Sequence, residues 1–123
     1  MKAKNLYLME CHVAGRQYHD ADLVWNELKV GAPLKLVRDV ENRYDPQAIA
    51  VLFEHGGEDY VLGYVPACEN DFLFRMLEQG WGDCFVCHLS KIDDDAHYEQ
   101  QLRMTIRVRQ NTAVADALPK ATL

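Results

Sequence analysis

The chain has 123 residues, 49% of them hydrophobic and 26% charged, and a formal net charge of −6. A chain of this length buries roughly two thirds of its unfolded surface in one core, so a single domain without disulfide or metal staples is expected. The acidity argues against a generic, salt-driven DNA binder, and apolar runs of about six residues fall far short of a membrane-spanning helix.

No secretory signal is legible, because Glu10 and His12 interrupt the first apolar stretch. The expected location is the cytoplasm, with association to the nucleoid allowed and no membrane contact. The chain reads as one unit over residues 1–109, followed by a flexible polar tail over 110–123.

In chain order, Leu6 to Val13 is apolar and β-prone and predicts a first strand ending at Ala14 and Gly15. Asp20 is a candidate cap for a short helix through Leu28, with Leu23, Val24, Glu27 and Leu28 at helical spacing and Gly31 as its stop. "PLKLVR", 33–38, alternates as a strand does, and Ala48 to Phe53 predicts another. Gly56 and Gly57 supply the positive φ of a tight hairpin turn, so Tyr60 to Val65 should be the return strand. Asn70 opens and Gly80 closes an amphipathic helix with Phe72, Leu73, Met76 and Leu77 on its apolar face. Asp83 to Ile92 and Tyr98 to Val108 predict the last two strands, joined by a solvated acidic tip at Asp93 to Asp95. About six strands and two short helices at hairpin spacing predict a mainly β fold, a small, closed or nearly closed β-barrel.

Four cysteines in a reducing compartment read as free thiols, and the "CFVCH" string at 84–88 is only a formal match to a haem-attachment motif. A zinc site from Cys11, His12, Cys84, Cys87 and His88 lacks a second ligand pair, so no metal and no cofactor is expected. No Walker loop, G-x-S-x-G or H-E-x-x-H is present, and Ser90 is the only serine, so catalysis is not expected. Residues 1–44 and 100–123 carry the cations, 7 and 4 Lys/Arg against 6 and 1 Asp/Glu, whereas 45–99 carry 2 against 12. If the chain ends pair, Arg16, Arg43, Arg103, Arg107 and Arg109 form either a local basic face or an ordinary solvated surface.

The densest chemistry is "VENRYDPQAIAV" at 40–51. Pro46 drives Asp45 to an extended backbone, and Asn42 and Asp45 can bond nearby amides, which suffices for a turn without a ligand. The same residues offer the end of a nucleic-acid strand what it needs: a ring at Tyr44 for a base, a guanidinium at Arg43 or Arg16 for a phosphate, and a carboxylate at Asp45 for a sugar hydroxyl. A carboxylate repels phosphate, so Asp45 makes sense beside DNA only opposite a donor.

With "VAGRQYHD" at 13–20, "LKVGAPLKLVRDVENRYDPQAIAV" at 28–51 and "LGYVP" at 62–66, in this order and spacing, the sequence resembles the HIRAN domain family over roughly residues 8–108. The resemblance implies an OB-like barrel that binds single-stranded DNA and captures its 3′-hydroxyl end. Carried over, Tyr44 stacks on the terminal base, Asp45 reads the terminal hydroxyl, Asn42 opens the motif, Arg16 contacts the DNA, and Tyr64 takes a histidine's place near the backbone. Gln17 stands where end-reading members have an aromatic, Ala67 where they have a lysine, and Arg43 where proline is commoner; Tyr18 offers partial compensation. The resulting expectation is a non-enzymatic module for single-stranded DNA, with RNA still open, acting alone or beside a DNA-processing protein in repair. The alternative is a protein-interaction module that keeps the barrel and binds a peptide in a groove near Trp25 and Trp81.

Overall fold

The computed structural model describes residues 4–111; most of the polar tail expected from residue 110 lies outside them. Six strands, β1 (Leu6–His12), β2 (Pro33–Arg38), β3 (Ile49–His55), β4 (Glu58–Tyr64), β5 (Phe85–Ile92) and β6 (Leu102–Val108), form an antiparallel sheet in the order β1-β6-β5-β2-β3-β4. Both helices are short: α1 (Ala21–Val24) and α2 (Asp71–Glu78). The mainly β, OB-like architecture is as expected, but the sheet is not closed. Its edges meet at one point, where Ala14 and Tyr64 exchange backbone bonds of 2.8 and 2.9 Å.

β2 makes the corner. Its start pairs with β5 at Pro33↔His88 and Leu34↔Cys87, and Lys35 to Arg38 pair instead with β3. The β3–β4 hairpin turns on Gly56 and Gly57, whose φ values of 62° and 83° are those of a tight turn with left-handed central residues. Fully buried Val13, Ile49, Val51, Leu62, Leu73, Leu89, Leu102, Met104 and Ile106 form the centre of the core. Truncating one of the leucines to alanine would cost about 2–5 kcal/mol.

The first helix is shorter than its pattern. After Val24 the chain tightens to a 3₁₀ turn over Trp25–Glu27, and Leu28 is extended. Asp20 makes no side-chain cap; its N–H is instead tied to the Val61 carbonyl at 2.8 Å, which anchors the helix start to β4. Ala21, Val24 and Leu28 are buried, whereas Leu23 faces out. α2 has the expected length and ends at Gly80, φ 87°, where Gly80 and Trp81 donate to Leu77 and Met76. Its apolar face is one residue later than the pattern suggests: Leu73 and Phe74 are buried, and Phe72 is exposed. The predicted final strand begins late, because Tyr98–Gln100 form a 3₁₀ turn capped by His97.

Chain ends do pair, β1 with β6, yet the five arginines do not form one face. Arg103 is bound to Glu10 at 2.6 Å, and Arg109 lies against the Asp83 carbonyl. The acidic tip is not merely solvated: Asp94 accepts the Trp25 indole N–H at 2.9 Å. Among the described residues no helix is long and apolar enough to cross a membrane, and no group of three or more His, Cys, Asp or Glu is arranged to hold a metal.

Candidate functional site

The segment from Asp39 to Ala48 connects β2 to β3, and its ends are tied by Asp39 N–H to the Ala48 carbonyl at 2.9 Å. Inside it, one side chain organises the backbone. Asn42 Oδ1 accepts from the N–H groups of both Tyr44 and Asp45, at 2.8 and 3.0 Å, the bond pattern for which asparagine is favoured in turns. Asp45 repeats the device one step on, its Oδ1 accepting from Gln47 N–H at 2.8 Å. With the backbone so fixed, Tyr44 projects into solvent and is 97% exposed.

Tyr44 lines a cleft of about 420 Å³ with Tyr18, His19, Asn42, Asp45 and Tyr64, floored by small apolar residues including Ala14, Ala48 and Ala67. Tyr18 comes from the 3₁₀ turn Arg16–Tyr18 and is 78% exposed, so two tyrosine rings belong to one opening. Tyr64 is its back wall. Its hydroxyl donates to Asp39 Oδ2 at 2.6 Å, and its ring meets that of His19 at 5.1 Å. The Tyr64 hydrogen bond, aided by one from Asn42, holds the Asp39 carboxyl below its ordinary range, while burial and then the Asp39 bond push the Tyr64 phenol up.

Asp45 is held at both oxygens. Oδ2 accepts from Asn70 Nδ2 at 2.8 Å, and each carboxylate oxygen keeps a further lone pair. Asn70 also donates to the Gln47 carbonyl, and Gln47 reaches Asp71 at 2.8 Å, so the start of α2 is stapled to the loop. Asn70 occupies the cap position expected of it but does not cap the helix. Sequence reading therefore missed its contact with the site, along with His19 and Asp39. An asparagine before a helix signals a cap equally well, and nothing local reveals its distant partner.

The residues selected from sequence divide into two groups. Tyr18, Asn42, Tyr44, Asp45 and Tyr64 come together in the cleft, and Arg43 is exposed on the same loop. Arg16 is elsewhere: only 4% exposed, its guanidinium lies 4.3 Å from the centre of the Trp25 ring and 5.3 Å from that of Tyr98, with Nη2 bound to Asp22 at 2.8 Å. Among the described residues Gln17 has a buried Oε1 without a hydrogen-bond partner and does not line the cleft. Among the described residues, no Lys or Arg lines it.

Trp25 lines a small cleft with Arg16, Asp22, Asp94 and Gln101, and Trp81, which is exposed beyond α2, is not part of it. The "CFVCH" string is also divided: Cys84 ends a half-exposed 3₁₀ turn, whereas Cys87 is in the core, 3.7 Å from the Met104 sulfur, with its thiol pushed up to about 12 by burial.

Comparison with known proteins agrees with this architecture. Over 85 residues, 69% of this chain, the sequence is 31% identical to a Fanconi-associated nuclease 1 homolog from Oryza sativa subsp. japonica, of whose length the match spans only 8%. The crystal structure of a protein from Lactobacillus plantarum superimposes with a TM-score of 0.71 at 23% identity, covering 89% of this chain and all of that one, which establishes a shared fold. The model of the HIRAN domain matches residues 6–110. The chain therefore belongs to the HIRAN domain family, whose domains are nucleic-acid-binding modules rather than catalysts.

Proposed function

We propose that this domain binds single-stranded DNA at its 3′-hydroxyl end, without catalysis of its own. The observation that carries the reading is the pairing of an exposed ring, Tyr44, with a carboxylate held at both oxygens, Asp45, in one cleft. A terminal base stacks on Tyr44, with Tyr18 as a second surface, and such a contact is worth about 1–3 kcal/mol per base. The fixed Asp45 carboxylate accepts a hydrogen bond from the terminal hydroxyl and repels a phosphate in the same position. Fixing the acceptor beforehand reduces the ordering cost on binding.

Among the described residues the cleft lining is aromatic, small apolar and acidic, which suits end recognition more than backbone tracking. Salt dependence should be shallow, since each phosphate neutralised on a single strand contributes a slope of about −0.7. Arg43, exposed beside Tyr44, is suited to one such contact. A terminal ribose offers the same hydroxyl, so RNA is tested beside DNA.

Competition against a labelled linear strand tests the reading. An unlabelled linear strand with a free 3′-hydroxyl should displace it at least about tenfold better than a covalently circular strand of the same sequence, a difference of about 1.4 kcal/mol. Equal displacement by the circle would reject end binding and leave a general single-strand binder.

A further inference from the structure

The best buried polar residue at the site belongs to neither the family motif nor the cleft lining. Asn70 is 1% exposed, and its side-chain amide donates two bonds to the site loop, each 2.8 Å, one to Asp45 Oδ2 and one to the Gln47 carbonyl. A buried amide with two such bonds has one orientation available, and disrupting it strands the acceptors it serves. Without it, Asp45 would keep, among the described residues, the Gln47 N–H bond on Oδ1, and Oδ2 would be released.

We infer that Asn70 is a positioning residue that sets the discrimination between a 3′-hydroxyl and a 3′-phosphate end by fixing the Asp45 carboxylate from beneath the cleft. The inference rests on the end-binding reading. Asn70 acts through Asp45 and contributes nothing to stacking on Tyr44, so its removal should alter end preference selectively. The same bonds join α2 to the loop, so the helix serves as the rigid base from which the carboxylate is aimed. Replacing the amide by a carboxyl of the same shape puts two acids within hydrogen-bond distance. Two such carboxyls cannot both ionise without cost, and one holds its proton to higher pH. That proton restores a donor to Asp45.

The experiment measures wild type, Asn70→Ala and Asn70→Asp against matched single strands ending in 3′-hydroxyl or 3′-phosphate, with thermal unfolding of each protein as a control. For folded Asn70→Ala, hydroxyl-end affinity should fall about tenfold while phosphate-end affinity stays within about twofold, collapsing the preference. Asn70→Asp should lose the preference in mildly alkaline buffer and regain it in mildly acidic buffer when read relative to wild type at the same pH, which cancels the protonation of the 3′-phosphate itself near pH ~6, and a merely structural role would not produce that relative change. If Asn70→Ala does not fold, the Asn70→Asp pH profile decides. A preference unchanged in either folded variant overturns the inference while leaving end binding intact. A wild-type protein without any end preference overturns both.

Discussion

The turn from Gly15 to Tyr18 and the loop from Asp39 to Ala48 both carry residues that the family motif singles out, and they use them in opposite ways. In the loop, polar side chains are spent on the backbone: Asn42 and Asp45 hold the amides of Tyr44, Asp45 and Gln47, and the aromatic ring is released to solvent. In the turn the arginine goes inward, under Trp25 and Tyr98 and against Asp22, and fastens the turn to α1 and to the Tyr98 segment. A cation in a binding motif thus serves the architecture in one place, while in the other a carboxylate fixed at both oxygens lines an open cleft. The two segments are linked through β4, where Tyr64 pairs with Ala14 by backbone and with Asp39 by side chain.

That link is where the comparison breaks most completely. A Cβ on Gly63 would lie 2.7 Å from Val13 Cγ1 and nearer still to the Ala14 carbonyl. Gly63→Ala should therefore cost about 3 kcal/mol of stability through overpacking against backbone, measured by urea denaturation, and should separate the turn from the loop. Arg16→Ala comes next. Loss of its ring contacts and packed stem should cost about 2 kcal/mol. Because Arg16 is architectural, the slope of DNA affinity against salt should stay unchanged in the folded protein, whereas loss of a true phosphate contact would reduce it by about 0.7.

Tyr44→Ala separates binding from stability in the other direction. The ring is almost fully exposed, so the melting temperature should not move, while affinity for a short single strand should fall by about one to two decades. The smallest effect concerns pH. The Asp39 carboxyl is lowered in the fold, so its contribution is present above the unfolded pKa and is lost as pH falls through the folded one. The Tyr64 phenol is raised, so its contribution is complete below the unfolded value and is lost as pH rises through the folded one. Stability should have a shallow plateau between these limits, and Tyr64→Phe should flatten both edges in a pH series of denaturation curves.

Much of this was legible because the signals were local. Alternation in "PLKLVR", the Gly56–Gly57 pair and the run to Gly80 each specify their element through nearest neighbours. The turn-forming role of Asn42 and Asp45 was readable for the same reason, as was the exposed ring between them. What failed depended on distant partners. Arg16 looks like a solvent-facing cation until Trp25, Asp22 and Tyr98 surround it, and Asn70 looks like a helix cap until the loop 25 residues earlier takes its amide. The first helix stops early, where the chain tightens to a 3₁₀ turn over Trp25–Glu27, and the backbone bond between Asp20 and Val61 that anchors its start is likewise invisible to periodicity. The single bridge that brings the sheet edges together is likewise a property of the whole chain.

The most direct test of the central claim is a thermodynamic cycle on Asp45. Wild type and Asp45→Asn would each be titrated by fluorescence anisotropy with one oligonucleotide carrying either a 3′-hydroxyl or a 3′-phosphate. Wild type should prefer the hydroxyl end by at least about tenfold, as expected for a charge-assisted hydrogen bond, and Asp45→Asn should lose that preference by binding the hydroxyl end more weakly and the phosphate end more tightly than wild type does. Equal binding of the two ends by wild type, or an undiminished preference in Asp45→Asn, would contradict the account.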